Sequence, residues 1–342
     1  MQLVSLSTMF FLIEVSNGLV HGVGSEHDLT SRTKRSINPC ADKFRVIKGH
    51  TACLSGSVST SLLDKVPQSD IDLIVNKHNE YRSNVSPTAS NMLQMSWDVE
   101  TAMIAQLWAE QCKLKHDSGD KRVIPGKFSL GQNIAMGATS WLEALTLWEN
   151  EKTKFHFGTG NNFEEVGHYT QMVWANTNKV GCGVAKCGTS NFHVCNYGPA
   201  GNNGNYSIPY KTGTPCDGCK TCEGGKLCEC RLTCLNGGTL NLSSCTCRCR
   251  QNWSFYVFHN CSMDCSRVKT DPSVCQTDYG SNSCGLIAND CPNKCKFCPY
   301  SSFNYTKEAT AVLRNQNQIS CLCFPSYGLQ RFTPSSSYNM QD

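Results

Sequence analysis

The sequence predicts an α+β protein: a three-layer α-β-α sandwich followed by small disulfide-rich modules. Three observations predict it. Between residues 69 and 197, segments with helical spacing of apolar residues accompany one pair of adjacent strand-like segments. The 24 cysteines are divided unevenly, six between Ser36 and Tyr210 and eighteen between Lys211 and Asp342. The helix and strand periodicity stops at Lys211, where the cysteines crowd together. The first region can bury an ordinary apolar core. The second is too cysteine-dense for that and reads as disulfide-stapled units in an oxidising compartment. Zinc is the second choice for pairs such as Cys216 and Cys219.

The elements follow in order. Residues 4–13 form a short apolar run, and Ser16 and Gly18 give a small-x-small cleavage site, so residues 1–18 read as a signal peptide. The run is too short for a membrane-spanning helix, and no other segment qualifies. Arg32-Thr33-Lys34-Arg35 reads as a dibasic processing site, which makes 19–35 a propeptide and starts the mature chain at Ser36. Residues 36–68 are an N-terminal extension. Residues 69–83 read as a helix capped by Ser69, with Asp72 three residues on. A second, buried on nearly all sides, runs from Val99 to Lys115 after Asp98. A third starts at Ser140, with Glu143 completing a capping box, and runs to about Lys154; a fourth covers Glu164–Trp174. Val180–Lys186 and Phe192–Tyr197 read as two strands joined through the turn-rich stretch 187–191.

Charge excludes one class of function. The formal net charge is +4, which is mild and gives no case for nucleic-acid binding. Sequons at Asn84, Asn205, Asn241, Asn252, Asn260 and Asn304 fit a secreted, extracellular glycoprotein.

Gly167-His168-Tyr169-Thr170-Gln171-Met172-Val173-Trp174 and His193-Val194-Cys195-Asn196-Tyr197-Gly198-Pro199, with His78-Asn79-Glu80-Tyr81-Arg82 and Gly131-Gln132-Asn133, resemble the signature motifs of the CAP superfamily. That superfamily holds cysteine-rich secretory, antigen-5 and pathogenesis-related proteins. Trp97-Asp98, the stretch Trp108–Asp117 and Ile124–Asn133 look most like the cone-snail-type cysteine-rich venom proteins. The resemblance places a CAP domain at 69–210 and implies the disulfides Cys40–Cys53, Cys112–Cys187 and Cys182–Cys195. Residues 211–233 look like the cysteine-rich hinge of those proteins, 234–262 like an EGF-like module, and 263–300 like the sea-anemone toxin (ShK) fold or cysteine-rich regulatory domain. In that last module the resemblance implies Cys265–Cys298, Cys275–Cys291 and Cys284–Cys295. The other C-terminal pairings stay open. Residues 301–342 form a polar tail.

The resemblance also implies a cleft around His116, Gln132, Glu151 and His168. Two imidazoles, His116 and His168, could hold weak Zn2+, with Glu151 beside them. Gln132 stands where many relatives carry glutamate; an amide is no base and a poorer ligand. No catalytic residue is assigned: His168, Glu151 and His116 are the candidates for a general base or its orienting groups. The alternative is a hydrogen-bonded polar cluster that ties the helices to the sheet. Thr170 is the hydroxyl nearest His168 in sequence, but two residues apart on a helix their side chains diverge.

Three functions compete. The first is a secreted binding or effector protein with an extracellular or membrane-protein target, an ion channel among them. Lys294, Lys296 and Phe297 would then supply the lysine–aromatic contact of channel-blocking toxins. The second is a secreted peptidase using the cleft. The third is sterol or lipid binding. Oligomeric state is not legible.

Overall fold

The computed structural model describes residues 40–54, 66–251, 254–257, 259–276, 284–287 and 290–298. The signal-peptide and processing segments with Arg32, Lys34 and Arg35, the sequons Asn252 and Asn304, and Cys321 and Cys323 lie outside the described residues.

The chain opens with one helical turn, α1 (Asp42–Arg45), and a 3-10 turn at Thr51–Cys53. Helix α2 spans Gln68–Ser83. Its N-cap is Pro67, not Ser69; Pro67 contributes its carbonyl to the amides of Asp70 and Ile71. Helix α3 spans Val99–Ala109, and the Asp98 carboxylate accepts from the Thr101 amide at 2.8 Å, as an N-cap should. It stops short of Lys115. Cys112 takes a φ of +51° to turn the chain, and the Trp108 indole donates to the Lys115 carbonyl. Helix α4 (Trp141–Asn150) is capped by Ser140 and continues as a 3-10 turn, Glu151–Thr153. Helix α5 (Phe163–Met172) is capped by Asn162.

Four strands form one sheet in the order β1-β3-β4-β2: β1 (Ser96–Trp97), β2 (Gly131–Met136), β3 (Lys179–Cys187) and β4 (Ser190–Gly198). Strands β3 and β4 form the expected hairpin, with a tighter turn of Gly188 and Thr189 and a φ of +61° at Gly188. Strand β2 is an element the sequence did not announce. Gly-Gln-Asn-Ile-Ala-Met has little β propensity, and the segment is a strand because it pairs with β4 from Gly131↔Tyr197 to Met136↔Phe192.

Side chains alternate across the sheet and so feed two cores. Phe192 and Val194 of β4 pack on Ala105, Trp108 and Ala109 of α3. Cys195 and Tyr197 face the other way, into a core with Ile74, Trp141, Leu145, Trp148 and Met172 from α2, α4 and α5. The sheet thus lies between helix layers. Helix α3 sits unusually close to β3: a Cβ on Gly181 would lie 2.2 Å from the Ala102 nitrogen, and one on Gly183 2.3 Å from the Gln106 Cα. Because β1 is short, β3 has an open edge at Val184. Gln106 closes it, donating to the Val184 carbonyl and accepting from its amide at 3.0 Å each.

Beyond Lys211 the structure is held by disulfides. Cys216–Cys222 and Cys219–Cys228 close the first unit around β5 (Cys222–Glu223) and β6 (Leu227–Cys228). Cys230–Cys245, Cys234–Cys247 and Cys249–Cys261 close the second around β7 (Thr239–Asn241) and β8 (Thr246–Arg248). Cys230 therefore groups with the second unit, although the expected boundary at 233/234 puts it in the hinge. Cys265–Cys298, Cys275–Cys291 and Cys284–Cys295 close the third, which contains α6 (Cys284–Ile287). In the sandwich Cys40 pairs with Cys53, Cys112 with Cys187, and Cys182 with Cys195.

These units pack on the sandwich. Leu235 joins a core with Phe44, Ile104, Leu107 and Phe128, and the Asn236 amide donates to the Lys127 carbonyl at 2.8 Å. Phe297 is fully buried, its ring directly over Gly126, where no Cβ would fit. Lys296 is exposed, but its expected aromatic companion faces inward, and Lys294 donates its Nζ to the Cys275 carbonyl at 2.7 Å. Phe297 is thus not presented beside Lys296, because its ring is buried with Phe255, Tyr256 and Met263; Tyr300, next to this pair in sequence, lies outside the described residues.

Candidate functional site

Strand β2 lies at an edge of the sheet, and its consecutive residues point to opposite faces. Asn133 points toward the α5 layer and donates to the His168 carbonyl at 3.0 Å. Gln132 points the other way and meets His116. The two imidazoles therefore come from different layers. They are near enough for His168 to disfavour a charge on His116.

His168 is oriented by Glu151. The carboxylate accepts from His168 Nδ1 at 2.5 Å and from the amides of His168 and Tyr169 at 2.9 and 3.0 Å. The ring stacks on Trp148 with centroids 6.1 Å apart. In the neutral ring the Nδ1 proton faces Glu151 and Nε2 keeps the lone pair.

His116 is oriented by Gln132, with Nδ1 2.9 Å from Oε1. Gln132 Nε2 spends both hydrogens, on Asp117 Oδ1 and Asn196 Oδ1, each at 3.0 Å. Its oxygen must then face His116, so His116 also carries its proton on Nδ1. Asp117 is paired with Arg122 at 2.8 Å and accepts from the Thr51 hydroxyl at 2.5 Å. Burial holds the His116 pKa below the usual histidine value, with Arg122 and His168 adding to the effect.

The four expected residues thus form two linked pairs, His116–Gln132 and His168–Glu151. Gln132 does here what a glutamate could not: it donates to a carboxylate. A glutamate beside Asp117 would place two buried anions together. Sequence reasoning missed Asp117, Arg122, Thr51 and Asn196. Asp117 follows His116 directly and Asn196 stands in the motif His193–Pro199, which were the available signals; Thr51 lies 66 residues from its partner. Thr170 is buried and donates its hydroxyl to the Gly167 carbonyl at 3.2 Å.

The model of the family described as "CAP: Cysteine-rich secretory protein family" matches residues 75–197. The cysteine-rich venom protein of Conus textile is 32% identical over 288 residues, which cover 76% of this chain and 92% of that protein. The chain belongs to the cysteine-rich secretory protein (CAP) family. Within the family, cysteine-rich secretory protein 3 of Equus caballus is 46% identical over 162 residues, 44% of this chain and 66% of that protein. Cysteine-rich secretory protein 2 of Homo sapiens is 46% identical over 155 residues, 43% of this chain and 63% of that protein. Among solved structures, NaASP2 with Zn2+ is 33% identical with a TM-score of 0.44, covering 49% of this chain and 98% of that one.

Zinc is the group the resemblance implies. Protein zinc sites use three or four side-chain ligands. Among the described residues no group of three His, Cys, Asp or Glu side chains could hold a metal ion. Glu151 is turned to the α5 backbone and to Nδ1 of His168, where it orients a ligand rather than acting as one. His116 and His168, each held through Nδ1, are the two nitrogen donors the described residues could offer, one short of the ligand number of a protein zinc site.

Proposed function

We propose that this CAP-family protein is a secreted binding protein, its sandwich a rigid carrier and its cysteine-rich units the surface offered to an extracellular or membrane-protein target. One observation carries the reading: the hydroxyl nearest His168 in sequence, Thr170, is not available as a nucleophile beside the free Nε2 of His168. Glu151 is used by two backbone amides and His168, and the Thr170 hydroxyl is buried on Gly167. A peptidase would need a free base beside an accessible nucleophile.

The rest of the reading is extracellular. Residues 1–18 act as signal peptide, and cleavage after Arg35 releases a chain starting at Ser36. Asn84, Asn205 and Asn241 are exposed, which supports glycosylation there. The second and third disulfide units fit EGF-like and ShK-like modules. An ion channel is the target class we test first, through the exposed Lys296.

The test uses the full secreted chain on cells expressing a panel of potassium and calcium channels. A current change that is lost in Lys296→Ala supports a channel target; unchanged currents throughout remove it. In parallel the protein is incubated with an unbiased peptide library. Cleavage abolished in His168→Ala/Glu151→Gln would overturn the binding reading in favour of a peptidase.

A further inference from the structure

His116 is joined through Gln132 and Asp117 to Thr51, a residue ahead of the region the family model matches. Thr51 belongs to the loop closed by Cys40–Cys53, ahead of residues 75–197 that the family model matches. That loop is firmly seated. His50 is buried, accepts from the Ala52 amide through Nδ1 and bonds the Val123 carbonyl through Nε2 at 2.6 Å. Phe44 packs on α3, and Lys43 pairs with Glu100 at the start of that helix. The seat leaves the Thr51 side chain 1% exposed, with its hydroxyl on Asp117.

We propose that Thr51 is a positioning residue for the cleft: through Asp117 and Gln132 it holds His116 with its proton on Nδ1 and Nε2 as the free lone pair. The logic is one of donors and acceptors. An ionised carboxylate can only accept. With Thr51 on Oδ2 and Arg122 on Oδ1, Asp117 is fixed in one rotamer and presents Oδ1 to Gln132. Gln132 must answer with its amide nitrogen, which turns its oxygen to His116. If Asp117 swings away, only Asn196 Oδ1 still holds the Gln132 nitrogen. Once Asn196 turns its own unpaired Nδ2 toward Gln132, the Gln132 amide can flip, its nitrogen faces His116, and the imidazole must move its proton to Nε2 to accept at Nδ1. A flipped His116 has no lone pair left at Nε2 for a ligand. The N-terminal disulfide loop therefore sets whether the cleft offers two ligating nitrogens or one. The proposal goes beyond the carrier role given to the sandwich, and its test needs no ligand.

The experiment records imidazole nitrogen–proton correlations of the full-length protein labelled at histidine, disulfides intact, above pH 7. The native His116 is expected as the Nδ1–H tautomer. Thr51→Ser keeps it. Thr51→Val and Asp117→Ala shift the tautomer ratio toward Nε2–H by about fivefold or more, the scale of one lost hydrogen bond. His168, held by Glu151 on another element, stays unchanged and reports that the fold is intact. A native His116 in the Nε2–H form overturns the proposal whatever the variants do. So does an unaltered His116 in Thr51→Val with His168 in place. Should Thr51→Val disturb His168 as well, Thr51→Ala takes its place under the same criterion. Channel recordings and peptide cleavage read none of these signals, so the function can fail while the relay stands, and the reverse.

Discussion

Arg82 is fully buried, and among the described residues its guanidinium bonds only carbonyls. Its guanidinium makes six hydrogen bonds to five carbonyls: Leu93, Met172, Trp174, Ala175 and Thr177. Burial lowers its pKa to about 9, so it remains charged at neutral pH. The carbonyls lie at the end of α5 and in the loops beside β1 and β3, and one side chain joins them where no regular element does. Arg82→Met would leave those acceptors buried and unpaired. We expect a loss of about 3–5 kcal/mol in urea unfolding, and Arg82→Lys to recover only part of it, since an ammonium has three donors and no planar fork. Arg82 stands in the motif His78–Arg82, so its presence was legible; its role as a carbonyl anchor was not. A cation in an amphipathic helix ordinarily faces water, and only the converging loops show that this one does not.

At the scale of elements, α3 and β3 are fitted by absent side chains. Gly181 and Gly183 are two apart on one face of β3, and each admits the α3 backbone. Gly183→Ala would force helix and strand apart. We expect it to lower stability by about 1–3 kcal/mol in denaturant unfolding, the range for overpacking. The same change at Gly188, where a Cβ has open space but φ is +61°, tests turn strain instead. Helices α3 and α4 and the β3–β4 hairpin were legible because caps and periodicity are local signals. Strand β2 and the early end of α3 were not. Strand β2 exists through its pairing with β4, and α3 ends where Cys112 turns back toward Cys187. Both causes lie tens of residues away along the chain.

At the scale of the whole molecule, two buried histidines make stability depend on pH. Burial lowers His50 and His78 each to about 4 from an ordinary value near 6.5. His50 joins the N-terminal loop to Val123, and His78 joins α2 to Tyr197 of β4. Between about pH 4 and 6.5 the unfolded chain takes up protons that the folded one refuses, so stability is full above 6.5 and falls on acidification through that window. Each histidine contributes about 1.4 kcal/mol per pH unit within it. Urea unfolding at a series of pH values checks this, and His50→Gln should remove about half of the slope assigned to the pair. A flat profile from pH 7 to 5 would sink the assignment.

The sequence by itself pointed to the family, the sandwich, its principal helices and hairpin, and singled out His116, Gln132, Glu151 and His168, because motifs, caps and periodicity are written in local order. Only the tertiary structure decided how those four are paired, that Asp117 links Thr51 to Gln132, that Cys230 bonds Cys245, and that Phe297 faces inward over Gly126. The physical reason is the same in each case. A hydrogen-bond direction, a disulfide partner or a buried face is set by what the rest of the chain brings alongside, and spacing along the chain carries no record of it.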